Sequence, residues 1–170
     1  LIRQALIIDG SNTPGYLADV GLRAGRIEKI GDLSAAQGEH EIQADGRVLA
    51  PGFIDVHTHD DTVVIRQPQM LPKLSQGVTT VIVGNCGISA SPVSLRGDPP
   101  DPMNLLGNAE AFAYPRFLDY RAAVENAHPA LNVAALIGHT ALRSNHMDDL
   151  HRTATATEIA AMREQLQESL

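Results

Sequence analysis

The run Val78-Thr79-Thr80-Val81-Ile82-Val83 is β-branched throughout and narrows the folds open to this chain more than any other stretch. Bounded by Gly77 and Gly84, it reads as a strand buried on both faces, the habit of a parallel sheet. Upstream, Phe53-Ile54-Asp55-Val56 follows Pro51-Gly52 and reads as another buried strand. Between the two, Pro72-Lys73-Leu74-Ser75-Gln76-Gly77 has the form of a short helix closed by a glycine. Strand, helix, strand is a βαβ unit, whose strands run parallel and lie about 4.8 Å apart.

Chemistry gathers at the carboxyl ends of these strands. His57 and His59 follow the first strand two apart, so on extended backbone they face the same side with Cβ atoms roughly 6–7 Å apart. On a helix the same pair would diverge by about 200°. Cys86, the single cysteine, stands in Gly84-Asn85-Cys86-Gly87 directly after the second strand, and so arrives at the same sheet edge. Two imidazoles and a thiolate suit zinc, which takes nitrogen and sulfur ligands and keeps an open position when catalytic. Such an ion activates water and polarises a carbonyl, which points to hydrolysis of an amide or ester. The competing reading of Cys86 is a small buried hydrophobe. Asp55 shares the histidines' side one layer deeper, where it would orient a ligand from behind. Asp60 and Asp61 are the nearby carboxylates, and each is either a site-facing base or a solvated loop acid.

A length of 170 residues with 44% hydrophobic content suits a globular protein with a real core. A net charge of −7 without a basic cluster argues against nucleic acid as a partner. No apolar stretch approaches the roughly 18 residues of a membrane span. One cysteine excludes an internal disulfide and fits a reducing, cytoplasmic setting.

Residues 1–49 read as antiparallel β, with turns at Asp9-Gly10, Ala24-Gly25 and Asp45-Gly46, too few strands to close a sandwich alone. Residues 50–170 read as three βα units. Within them, Ser89 to Pro115 is a long loop rich in Pro, Gly, Asp and Asn, a kind that is usually functional. Helical spacing covers Arg116 to Ala127, and Ala130 to Ile137 reads as a third buried strand. His139 follows that strand, where it either approaches the cleft or makes an ordinary hydrogen bond. His146 and His151 read as surface residues of a polar loop. Thr155-x-x-Glu158 is a capping box opening a helix with Ile159, Met162, Leu166 and Leu170 on one face.

Ala50-Pro51-Gly52-Phe53-Ile54-Asp55 leading into His57-x-His59 resembles the metal-dependent amidohydrolases. The stretch SQGVTTVIVGNCGIS from Ser75 to Ser89, with HTHDD at 57–61 and IGHTALR at 137–143, resembles the N-acyl-D-amino-acid deacylases within them. The likeness covers essentially the whole chain but only the N-terminal portion of a family member. It implies a (β/α)8 barrel accompanied by a small β-sandwich to which residues 1–49 contribute. It implies zinc held by His57, His59 and Cys86, with Asp55 in support, and hydrolysis of an N-acyl-D-amino acid to a carboxylate and a D-amino acid. The family's catalytic aspartate has no counterpart in these residues. A complete barrel needs about 250 residues, so the piece is expected to be inactive alone, and to self-associate or recruit the rest of the barrel. The alternatives are a cyclic amidase of the hydantoinase or dihydroorotase kind and a non-catalytic barrel relative that acts as a binding module.

Overall fold

A computed structural model of the chain describes all residues, 1–170, and divides them into two compact units, Leu1–Pro51 and Gly52–Leu170. The first holds β1 (Ile2–Ile7), β2 (Tyr16–Arg23), β3 (Arg26–Gly31), β4 (Ile42–Gln43) and β5 (Val48–Leu49). The order is β3-β2-β1-β4, with β5 also on β1. Ala24 and Gly25, at φ 48° and 72°, make the two-residue hairpin between β2 and β3.

The expectation of a wholly antiparallel unit is corrected at β4 and β5, which both run parallel to β1. Asp45-Gly46 does not reverse the chain. Its residues, at φ 53° and 78°, sit opposite Gln4 at φ 51°, and Gly46 N donates to Gln4 O at 2.8 Å. The turn is a jog, after which Leu6 N donates to Arg47 O at 3.0 Å and pairing resumes along the same edge of β1. Ala5, Ile7, Val20 and Ala44 form this unit's core.

The second unit is built on three parallel strands in the order β6 (Phe53–Asp55), β7 (Val78–Val83), β8 (Asn132–Ala135). Helices α1 (Val63–Arg66) and α2 (Leu71–Leu74) join β6 to β7, and α3 (Phe117–Ala127) precedes β8. Helices α4 (His139–His146) and α5 (Ala156–Glu168) follow. Val81 and Val83 of β7 pack against Val64, Met70 and Leu131. The opposite row of β7, Thr80 and Ile82, is only half-buried, so the strand is covered on one face rather than two. The third strand is shorter than Ala130 to Ile137, although Leu136 N still donates to Val83 O at 2.9 Å.

The long segment after Cys86 is not a solvated loop. Two 3₁₀ turns, Met103–Leu106 and Ala109–Ala111, fold it inward. Val93, Met103, Leu106, Ala111 and Phe112 then join Ile88, Ala90, Tyr120 and Ala141 in the larger core. Helix α5 starts at the expected capping box, with Thr155 accepting from Glu158 N and Glu158 answering on Thr155 N. Of its apolar row only Met162 is buried. No helix is long and apolar enough to cross a membrane.

Candidate metal centre

Strand β6 ends at Asp55, short of the Val56 expected from the sequence. The cause is local: Asp55 Oδ1 accepts from His57 N at 3.3 Å, a side-chain to backbone bond that competes with the ladder. Thr58 N still donates to Ile82 O at 3.4 Å, so His57-Thr58-His59 runs beside the end of β7. From the other side comes the loop after β7. Gly84 lies at φ 79°, and a Cβ there would stand 2.1 Å from Leu136 O, so only glycine lets this loop lie against the end of β8. Cys86 itself is at φ 56°, a left-handed conformation that costs an L-residue roughly 1–2 kcal/mol.

These two backbones bring three donor atoms together. His57 Nε2 is 2.9 Å from Cys86 Sγ. One ligand atom from each of His57, His59 and Cys86 lies within 4.8 Å of the other two. The two imidazole rings stand edge to face with centroids 5.9 Å apart. His59 Nδ1 is buried and has no hydrogen-bond partner. A buried nitrogen left unpaired is costly unless something else satisfies it. Ligand atoms around a tetrahedral ion with bonds of about 2.0–2.3 Å stand roughly 3.3–3.8 Å apart, a spacing bracketed here by the 2.9 Å pair and the 4.8 Å outer limit. The donor set and its spacing fit zinc.

The neighbouring acids divide into two kinds. Asp55 Oδ2 is 2.6 Å from Lys73 Nζ, and Asp60 Oδ2 is 3.1 Å from the same ammonium. The Lys73 contact, opposed by partial burial, holds the Asp55 carboxyl below its ordinary range. Asp60 Oδ2 also accepts from Thr58 Oγ1 at 2.7 Å. Asp61 departs from expectation. It is neither a solvated acid nor turned to the cleft, being 1% exposed. Its carboxylate accepts from Gly84 N at 3.3 Å and Ala90 N at 3.1 Å, bracketing the Cys86 loop. Burial pushes its pKa up, against the opposing pull of those two amides. Tyr120 closes the arrangement by donating to Asp61 O at 2.8 Å. Asp61 therefore builds the loop and is not free to act as a base.

His139 opens α4, is exposed, and lines a cavity of about 440 Å³ together with Asn85, Cys86, Phe117 and Leu136. His146 is not in a loop: it closes α4 and its Nε2 lies 2.9 Å from Gln165 Oε1. Two contributors to the site escaped the sequence reading. Lys73 was legible only as helix body, although it is one of two basic residues between His57 and Cys86. Asn85, which donates to Ile82 O at 2.7 Å and fixes the loop's exit from β7, carried no signal beyond its place beside Cys86.

A parallel βα sheet that gathers two histidines and one cysteine at its carboxyl edge is a scaffold suited to metal-dependent hydrolysis. Residues 40–170 match the model of the amidohydrolase family, and the chain belongs to that family. It is 48% identical to a D-aminoacylase of Alcaligenes xylosoxydans xylosoxydans across all of this chain and 35% of the relative. To an N-acyl-D-aspartate deacylase of the same organism it is 49% identical, across all of this chain and 34% of the relative. The crystal structure of N-acyl-D-glutamate deacylase from Bordetella bronchiseptica, complexed with zinc and a phosphonate inhibitor, superposes with a TM-score of 0.92. That match has 45% identity and covers 99% of this chain and 35% of the other. The parallel βα units of this chain thus belong to an amidohydrolase (β/α)8 barrel fold. The chain spans about a third of the length of the curated relatives it matches.

Proposed function

We propose that the complete protein hydrolyses the amide bond of N-acyl-D-amino acids, giving a carboxylate and a free D-amino acid, with zinc held by His57, His59 and Cys86. The observation that carries this reading is the convergence of those three donors within 4.8 Å at the sheet edge. Near-equal identity to deacylases named for D-amino acids supports the substrate class. When bound, zinc supplies a Lewis acid that lowers the pKa of a water toward about 7 and polarises the acyl carbonyl.

The residues of this chain prepare that site. His57 and His59 would hold the ion through ring nitrogens and Cys86 through its sulfur. Asp55 fixes the backbone at His57 N and so sets the direction of the first imidazole. Asp61 holds both sides of the Cys86 loop. Asp60 is engaged by Lys73 and Thr58, and Asp61 is buried, so the proton acceptor comes from outside these residues. Residues 1–49 are the share of a small β-sandwich, and residues 50–170 three units of the barrel. The edges of β6 and β8 are each paired on one side only, and Phe53, Ile54 and Leu136 are exposed there. Further barrel units cover them in the complete protein, or a second copy does so for these residues alone. The single free thiol fits a cytoplasmic setting.

The test is a panel of N-acyl-D- and N-acyl-L-amino acids offered to the zinc-loaded complete protein, read as free amino acid by a chiral assay. The expected result is release from D substrates only. Release from none, with zinc bound stoichiometrically, overturns the reading. Residues 1–170 alone are expected to show no turnover, and zinc-dependent release by them overturns that part.

A further inference from the structure

We propose that Lys73 is a positioning residue for the metal-ligating segment, bracing His57-Thr58-His59 from one side; this rests on the metal site proposed above. Its ammonium lies 2.6 Å from Asp55 Oδ2, 3.1 Å from Asp60 Oδ2 and 3.2 Å from Thr58 Oγ1. Two of these contacts are hydrogen bonds, to Asp55 and Thr58, and Asp60 adds an ion pair. The partners stand before, between and after the two histidines, so one cation ties the segment at both ends and in the middle.

The partners are tied to one another as well. Thr58 Oγ1 donates to Asp60 Oδ2 at 2.7 Å, and the second oxygen of Asp55 accepts from His57 N. Asp55, His57, Thr58 and Asp60 are thereby each fixed by a polar contact, and they flank both ligands on this irregular backbone. Lys73 is itself delivered from a constrained helix: α2 begins at Leu71 after the buried Met70, and Pro72 stands in its first turn. The side chains of Lys73, Asp55 and Asp60 are 25%, 29% and 18% exposed. That shielding separates them from surface ion pairs, which contribute little.

Charge and position predict opposite outcomes when Lys73 is removed. Without the ammonium, two carboxylates face a cation site uncompensated, and electrostatics alone would tighten zinc binding. Loss of the brace loosens both imidazoles and weakens it. Residues outside the ligand set that hold the ligands in place typically set metal affinity by about 10–100-fold.

The experiment uses purified wild-type protein, Lys73→Met and Lys73→Arg. Zinc affinity is measured by competition with a chromophoric chelator, and cobalt(II) absorption reports ligand geometry. Lys73→Met is expected to bind zinc about 10–100-fold more weakly with an altered cobalt spectrum. Lys73→Arg is expected to recover part of the loss, because a guanidinium can span two carboxylates. Equal or tighter zinc binding by folded Lys73→Met, with the wild-type cobalt spectrum, overturns the proposal and leaves the metal site standing. If Lys73→Met does not fold, Thr58→Val removes the middle contact together with the Thr58–Asp60 bond and leaves the Lys73–Asp55 pair in place. Weaker zinc binding by that variant supports the brace, and unchanged binding overturns it. Wild-type protein that takes up neither ion removes the metal site and the proposal together.

Discussion

Gly138, the residue that caps α4, has ordinary backbone angles of φ −70° and ψ 129°, so alanine meets no conformational obstacle there. Space is the obstacle. A Cβ would lie 2.5 Å from Gly87 O and 2.7 Å from both Ile88 C and Ser89 N, where ordinary contact begins at 3.4 Å. All three are main-chain atoms of the loop that carries Cys86. In Gly138→Ala that loop must retreat by about 0.9 Å, the difference between 3.4 and 2.5 Å. Overpacking of this kind costs roughly 1–3 kcal/mol. At about 2–4 °C per kcal/mol for a chain of this size, the mid-range cost lowers the thermal midpoint by some 4–8 °C. Metal sites tolerate only about ±0.2 Å in ligand distance, so Cys86 Sγ is carried out of reach. Zinc affinity is then expected to fall tenfold or more, about 1.4 kcal/mol. Scanning calorimetry without metal and chelator competition with zinc separate the two effects. An unchanged midpoint refutes the packing argument. A lowered midpoint with wild-type zinc affinity refutes the claim that this loop sets the position of Cys86.

Tyr120→Phe leaves the buried Asp61 carbonyl without its donor, and should cost about 1–3 kcal/mol in urea unfolding; wild-type stability would show that the contact at 2.8 Å is unimportant. Glu158 is held down at about 2, first by Arg152 and then by Thr155 N. Its contribution is therefore complete above the ordinary value of 4.5 and is lost as pH falls toward about 2. Hydrogen exchange in the first turn of α5 should differ between wild type and Glu158→Gln near neutrality and converge in acid; a difference independent of pH contradicts this. Zinc at about 100 times its dissociation constant should stabilise the protein by ~2.7 kcal/mol, and a chelator should reverse the gain. A thermal midpoint indifferent to zinc argues against an ion in the folded site.

The sequence made some of this architecture plain and concealed the rest for identifiable reasons. β-branched density marked β7, and the capping box marked the start of α5, because both signals are local. The parallel pairing of β4 and β5 was hidden because Asp45-Gly46 has the composition of a reversing turn, and only Gln4 opposite turns it into a jog. The segment after Ser89 carried loop composition, and its few apolar residues, such as Val93 and Met103, have no period to betray that they are buried. In the site, His57, His59 and Cys86 could be brought to one edge from strand order alone. The separate fates of Asp60 and Asp61 could not, because adjacent loop acids look alike until the backbone turns one to Lys73 and the other toward Gly84 and Ala90. Lys73 was invisible for the same reason: its partners lie at least 13 residues away in sequence and meet it only once α2 has folded.

X-ray absorption at the zinc edge of the purified protein examines the ligand set most directly. Coordination by His57, His59 and Cys86 predicts a mixed shell, with a Zn–S distance of about 2.3 Å and Zn–N distances of about 2.0–2.1 Å, whose sulfur component disappears in Cys86→Ser. A shell of nitrogen and oxygen alone, identical in wild type and Cys86→Ser, contradicts it.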